Sequence, residues 1–311
     1  MGPVPQRGRL HVLEPRTPGL NPRAAKKRGG TISSLLFVVG HPVSHSLSPA
    51  MHNGIIARLG LPLHYVPVDL PPGQLRGFLR IVRAGNFLGG NVTIPYKEDA
   101  AALADTRSEA VEVCGAANTL VVRRGKLHAE NTDGEGFLDA LEGQGWGRRY
   151  RRVVLLGAGG AARGIAFALG RAGAREIILL NRHPRRAERV AELLSRRYPA
   201  TAFSGADLRP QTLREEFRAA DLIVQCTSLG LRGEWENFPI NDVQKTSRFA
   251  DIVYRAGGTD LVRRLRARGV KAVGGLPMLA YQAARSFALW TGREVPGDAF
   301  LKLAIKALKL W

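Results

Sequence analysis

The sequence predicts an α/β protein of two units, each built around a mainly parallel sheet, and three observations carry that prediction. At 311 residues the chain exceeds the ordinary size of one domain. From Leu35 onward, short apolar runs alternate with stretches of helical periodicity, the pattern of layered α/β folds. One such run, Val153–Leu156, leads straight into a glycine cluster that opens a helix-compatible stretch.

The elements follow in order. Residues 1–30 are rich in Arg, Lys, Pro and Gly without apolar periodicity, and read as a disordered basic leader. Leu35–Val39 predicts a strand ending at Gly40. Ser48 predicts an N-cap, with Pro49 at the first helical position and Met51, Ile55, Ile56 and Leu59 on one face. His64–Leu70 reads as strand, Pro72–Arg83 as helix, and Leu88–Ile94 as strand again. Leu120–Val122 and Leu127–Ala129 flank a turn and predict a hairpin. In the second series Val153–Leu156, Glu176–Leu180, Asp221–Cys226 and Arg248–Tyr254 read as strands, separated by helices such as Ala161–Ala172 and Arg185–Arg197. Gly275–Leu289 and Asp298–Leu308 close the chain as helices.

Composition narrows the function. No apolar run approaches the ~20 residues that cross a bilayer, and the N-terminus lacks a secretory pattern, so no membrane role is expected. Cys114 and Cys226 stand far apart, which gives neither a disulfide framework nor a metal-binding spacing and suits a reducing cytoplasm. The net charge is +20, and the leader holds seven basic residues against the single acid Glu14, so it carries +6 of that surplus. A surplus of this size attracts anions in general. No nucleic-acid motif accompanies it, so the expectation is a phosphate-bearing small ligand and no specific nucleic acid.

The glycine cluster is Gly157-Ala158-Gly159-Gly160-Ala161-Ala162-Arg163. A glycine cluster alone is commonly an ordinary loop. Between a strand and a helix it matches G-x-G-x-x-G/A, in which glycines permit a tight turn and bring a pyrophosphate to backbone amides at a helix N-terminus. The prediction is a Rossmann-type dinucleotide domain. The next strand ends in Asn181-Arg182-His183-Pro184-Arg185-Arg186, without the acid that usually holds the ribose hydroxyls of NAD. Guanidinium groups pair with phosphate. The predicted cofactor is therefore NADP, with Arg182 and Arg186 flanking its 2′-phosphate.

Three further segments are polar beyond what a loop needs. Gly40–Pro49 carries hydroxyls at Ser44, Ser46 and Ser48. Asn91–Lys97 delivers a hydroxyl and an amine at a strand end. Gly115–Thr119 is followed by Asn131-Thr132-Asp133-Gly134. Taken singly these are bland: Ser48 is a cap, a lone Lys is a surface charge, and Asp before Gly is a turn.

Together they resemble the shikimate dehydrogenase family. Its motifs occur in order as GHPVSHSLSPAMHN (40–53), NVTIPYK (91–97), GAANTL (115–120), NTDG (131–134), GAGGAAR (157–163), NR (181–182), CTSLG (226–230), DIVY (251–254) and GLPMLAYQA (275–283), covering about residues 35–310. The resemblance implies NADPH-dependent, reversible reduction of 3-dehydroshikimate to shikimate in aromatic amino-acid (chorismate) biosynthesis. It implies Lys97 and Asp133 as the catalytic pair. Ser46 and Ser48, helped by Tyr254, would bind the substrate carboxylate, and Thr93, Asn118 and Gln282 the ring hydroxyls. Gly157, Gly159, Gly160, Ala161, Asn181, Arg182, Arg186, Thr227 and Gly275 would contact the cofactor. No metal is implied. The chemistry suits these types: reducing a ketone creates an alkoxide, which needs a cationic acid within reach.

The implied architecture is discontinuous, with residues 31–133 and 275–311 forming the substrate domain, residues 134–274 the Rossmann domain, and the active site between them. A monomer or homodimer is expected. Two departures stand out. His183 replaces a usual Thr after Asn-Arg, and Arg255–Asp260 lacks the prolines usual after Tyr254. The alternatives are a quinate/shikimate dehydrogenase using NAD, and a non-catalytic binding protein on a Rossmann scaffold.

Overall fold

The computed structural model describes residues 34–227 and 238–309. The leader at 1–30 and the end of the CTSLG motif lie outside the described residues.

The chain folds into two six-stranded sheets. The first combines β1 (Ser34–Gly40), β2 (Leu63–Asp69), β3 (Phe87–Val92), β4 (Thr106–Arg107), β5 (Thr119–Arg123) and β6 (Lys126–Glu130), in the order β2-β1-β3-β5-β6-β4. β1 runs parallel to both β2 and β3, while the predicted hairpin β5–β6 supplies the antiparallel ladders. Strand pleating sends alternate residues to opposite faces. Phe37 and Val39 of β1 pack on Leu75, Phe78, Leu79 and Val82 of α2 (Leu75–Ala84). Leu36 and Val38 face Met51 and Ile55 of α1 (Ser48–Leu59). The same cluster takes in Phe287 of α10 (Leu276–Thr291) and Phe300 of α11 (Gly297–Leu308). The C-terminal helices thus close the first sheet, and each fully buried phenylalanine contributes about 2–3 kcal/mol of hydrophobic stabilisation.

The second sheet is parallel throughout. It holds β7 (Arg152–Leu156), β8 (Glu176–Leu180), β9 (Ala202–Ala206), β10 (Leu222–Gln225), β11 (Arg248–Asp251) and β12 (Lys271–Val273), in the order β12-β11-β10-β7-β8-β9. Its central strands are apolar on both faces, as a sheet covered on both sides requires. Val153, Leu155, Ile177 and Leu179 pack on Ile165 and Leu169 of α6 (Gly160–Arg171) and Val190 of α7 (Pro184–Arg197). Val154, Leu156, Ile178 and Leu180 pack on Phe217 of α8 (Pro210–Ala219) and Leu265 of α9 (Asp260–Ala267).

Both sheets have a point where strand order reverses, beside β1 in the first and beside β7 in the second. Crevices beyond the strand ends at such points hold ligands in open α/β folds. Of the polar segments singled out from the sequence, those beginning at Gly40, Asn91, Gly157, Asn181 and Cys226 lie at the ends of β1, β3, β7, β8 and β10, while Gly115–Thr119 leads into β5 and Asn131–Gly134 follows β6.

Two local expectations are corrected. Ser48 is the first residue of α1 and not its N-cap; Leu47 holds that place without a side-chain cap. The Ser48 hydroxyl instead faces the Tyr65 phenol. Asp133-Gly134 is not a turn but the start of α5 (Asp133–Gly143). A Cβ on Gly134 would lie 2.1 Å from the Gly164 carbonyl oxygen of α6, and one on Gly136 2.5 Å from the Gln282 nitrogen of α10. These glycines let α5 wedge between α6 and α10, at the junction of the two sheets.

Candidate active site

Lys97 opens α3 (Lys97–Leu103), directly after the turn that leaves β3. Its ammonium donates to Asp133 Oδ2, with the Lys side chain 16% and the Asp side chain 6% exposed. The carboxylate is fixed on its other side, because Asp133 Oδ1 accepts from Asn118 Nδ2 at 2.9 Å. Asn118 is held in turn: its Oδ1 accepts from the Thr132 amide at 2.8 Å, and its Nδ2 lies 3.1 Å from Gln282 Oε1. Gln282 Nε2 donates to the Leu279 carbonyl at 2.8 Å, which turns Oε1 towards the cluster. Lys97, Asp133, Asn118 and Gln282 therefore form one connected group drawn from α3, α5, the lead into β5, and α10.

A second group assembles beyond β1. The amide of Ser48 donates to Ser46 Oγ at 3.3 Å. Tyr254, from the loop after β11, donates its hydroxyl to the His45 carbonyl at 3.4 Å, so a residue of the second sheet's loops reaches the serine loop. Burial pushes the Tyr254 phenol up, which keeps it a protonated donor. Half-buried Thr93 follows β3 directly, and Gly40 packs against it too tightly for any side chain: a Cβ there would meet Thr93 Cγ2 at 2.3 Å.

The glycine-rich turn adjoins the first group. Gly157 has φ +113°, and a Cβ on it would crowd the Cys226 carbonyl oxygen at 3.2 Å. Gly159 is the N-cap of α6 with no side-chain cap, and among the described residues no atom beyond its chain neighbours lies within 4 Å of a Cβ built there. A Cβ on Gly160 would lie 3.2 Å from Lys97 Cβ and 3.3 Å from Ala116 Cβ, which places the turn against Lys97. Ala161 follows in the first turn of α6. Thr227 donates its amide to Gln225 Oε1 at 2.7 Å beside the turn. Gly275 precedes α10, where a Cβ would meet the Ile252 carbonyl oxygen at 2.0 Å. Beyond β8, Asn181 Nδ2 donates to the His183 carbonyl at 3.0 Å and Arg182 is exposed. Arg186 pairs with Glu98 of α3 at 3.0 Å. An open, uncapped helix N-terminus with guanidinium groups beyond the neighbouring strand is a donor set that fits a phosphorylated dinucleotide.

Residues that sequence reasoning missed support these groups from beneath. Asn91 Nδ2 donates to Ser286 Oγ at 3.0 Å, Ser286 Oγ lies 3.1 Å from Thr132 Oγ1, and the Tyr65 hydroxyl donates to Asn91 Oδ1 at 2.8 Å. Arg163 spans Ala158 of the turn and Cys114 of α4 (Glu109–Cys114), donating to their carbonyls at 3.3 and 3.2 Å. Nothing local in the sequence marks these partners, which come from remote segments. Cys114 is buried, its thiol pushed up to about 12 by desolvation, and burial raises Cys226 likewise. Among the described residues no group of His, Cys, Asp and Glu could hold a metal, and no helix is long and apolar enough to cross a membrane.

Comparison with known proteins agrees with this geometry. Family models match in three blocks: the shikimate dehydrogenase substrate binding domain over residues 38–120, shikimate / quinate 5-dehydrogenase over 145–231, and the shikimate 5′-dehydrogenase C-terminal domain over 275–305. A shikimate dehydrogenase (NADP(+)) of Symbiobacterium thermophilum is 41% identical over 278 residues, covering 88% of this chain and 95% of its own. The shikimate 5-dehydrogenase of Thermus thermophilus, solved with NADP(H) and shikimate, superposes with a TM-score of 0.77 at 38% identity, covering 88% of this chain and all of its own. A quinate dehydrogenase from Corynebacterium glutamicum, solved with NAD, gives a TM-score of 0.80 at 28% identity, covering 88% of this chain and 99% of its own. With the ordered motifs, the buried Lys97–Asp133 pair and these relatives in agreement, the chain belongs to the shikimate dehydrogenase family of oxidoreductases.

Proposed function

We propose that this enzyme catalyses the reversible, NADPH-dependent reduction of 3-dehydroshikimate to shikimate and works in the biosynthetic direction. One observation carries the reading: the proton-bearing Lys97, paired with Asp133, sits against the glycine-rich turn. Proton donor and nucleotide cradle thereby share one site.

When bound, the nicotinamide supplies the hydride. Lys97 Nζ stabilises the negative charge that develops on the substrate oxygen and donates a proton to it, while Asp133 fixes the ammonium and accepts from a ring hydroxyl. Ser46, Ser48 and the neutral Tyr254 phenol hold the carboxylate. Thr93, Asn118 and Gln282 orient the ring. Gly157, Gly159, Gly160, Ala161, Thr227 and Gly275 receive the pyrophosphate and nicotinamide half, and Asn181, Arg182 and Arg186 the phosphorylated ribose. The labour divides between a substrate domain of residues 31–133 and 275–311 and a nucleotide domain of residues 134–274. Support for that division is the burial of α10 and α11 residues against β1.

NADP is favoured over NAD by the segment Asn181–Arg186, which offers arginines and no acid. We place the enzyme in the cytoplasm, where thiols such as Cys114 and Cys226 persist. All the side chains of the proposed site come from one chain, so a monomer is sufficient for it. Comparing kcat/KM with NADPH and with NADH tests the cofactor assignment; a ratio below one overturns it.

A further inference from the structure

Glu98 follows Lys97 directly, and its carboxylate reaches the arginines of the nucleotide side. Its Oε1 accepts from Arg186 Nη2 at 3.0 Å and lies 3.4 Å from Arg163 Nη2. Arg186 stands in the first turn of α7, just beyond β8. The pair therefore spans from α3 of the first sheet's layer to α7 of the second. Arg163 is tied down by the Ala158 and Cys114 carbonyls and its side chain is only 17% exposed, so it holds Glu98 in place. Among the described residues Arg186 has no such anchor; its side chain is 46% exposed, and Glu98 is the acid that holds it.

We infer that Glu98 is a cofactor-specificity residue, competing with the 2′-phosphate of NADP for Arg186. The inference rests on the reading of Arg186 as a ligand of that phosphate. A guanidinium binds phosphate through two parallel N–H groups, and Glu98 occupies one Nη2 N–H, offsets the positive charge the phosphate would meet, and holds the group on the α3 side. NADP competes with Glu98 for Arg186, whereas NAD, which lacks the phosphate, leaves the pair intact. The carboxylate thus lowers affinity for NADP specifically. Once released, it remains paired with Arg163 and is not left as an unpartnered charge. The pair is half-exposed, and ion pairs of that kind are weak, so the competition is a tuning effect and not a block.

The test is equilibrium binding of NADP and of NAD, followed by tryptophan fluorescence or calorimetry at low ionic strength, to the wild type, Glu98→Gln, Arg186→Gln and the double variant. Glu98→Gln is expected to tighten NADP by about two- to fivefold and to leave NAD unchanged. Arg186→Gln is expected to weaken NADP, and on that background Glu98→Gln is expected to have no effect. The gain should shrink in high salt, where an exposed pair is screened. If Arg186→Gln weakens NADP while Glu98→Gln leaves it unchanged or weakens it, the competition is wrong and the phosphate reading stands. Equal tightening of NADP and NAD, or tightening that survives in the double variant, also overturns the competition, since the carboxylate then acts by its general field. If Arg186→Gln leaves NADP binding untouched, the reading of Arg186 itself falls.

Discussion

Acid should destabilise this protein through one side chain, His52. It lies on α1, is 0% exposed, and neither ring nitrogen has a hydrogen-bond partner. Its ring stacks on Tyr65 at 4.3 Å and is enclosed by Trp290 and Phe300, each at 5.3 Å, with Phe287 at 6.1 Å. Nothing there can share a proton's charge, so burial lowers its pKa from 6.5 to about 3. Because the folded value lies below the unfolded one, the unfolded chain takes up the proton first. The stability this histidine contributes is complete above pH 6.5 and is lost as pH falls towards 3. At about 1.4 kcal/mol per unit the full loss is on the order of 5 kcal/mol, a large part of the 5–15 kcal/mol that holds a typical protein folded. The check is urea unfolding between pH 4.5 and 8 for the wild type and His52→Phe. The phenylalanine overfills the site at a cost of about 1–3 kcal/mol that is independent of pH. Titrations elsewhere cancel in the difference. Wild-type stability should therefore fall relative to the variant by about 3 kcal/mol between pH 8 and 4.5. Parallel profiles would refute the reasoning.

Other outcomes concern the site. Lys97→Ala should lose about 10²–10⁴-fold in kcat with little change in KM, since its proton moves only in the transition state; steady-state kinetics showing an unchanged kcat removes Lys97 from the chemistry. Ser46→Ala should act mainly on KM for shikimate, and a pure kcat effect contradicts a role in holding the carboxylate. Asp251, which accepts from the Val253 amide at 2.9 Å and the Thr259 hydroxyl at 2.7 Å, is raised by burial from 3.8 to about 6. A raised acid contributes stability that is complete below pH 3.8 and is lost as pH rises through 6, so the wild type should fall by about 3 kcal/mol relative to Asp251→Asn over that window. Thermal unfolding at several pH values decides it, and an Asn variant less stable at pH 8 than at pH 4, relative to wild type, reverses the sign and contradicts the account.

The sequence was most legible where function demands local chemistry. The strand, glycine turn and helix around Gly157–Arg163 are contiguous, and the apolar runs of β7, β8 and β10 need no partner to be recognised. Asp133 was obscure for the opposite reason. Asp before Gly is a turn signal, and only the close approach of Gly134 to α6 and of Gly136 to α10 explains glycines inside a helix. Ser48 misleads similarly, since its hydroxyl serves Tyr65 and not the helix start. β4 has two residues and β9 a Gly-containing sequence with no fully buried residue, so neither produces an apolar signal. The Glu98–Arg186 pair depends on how two layers meet, which no local pattern encodes.

The most direct measurement is the initial rate of oxidation of shikimate and of quinate, each with NADP and with NAD, followed by absorbance of the reduced cofactor. The account expects fast turnover only with shikimate and NADP. Comparable rates with quinate or with NAD, or no turnover with any pair, would contradict it.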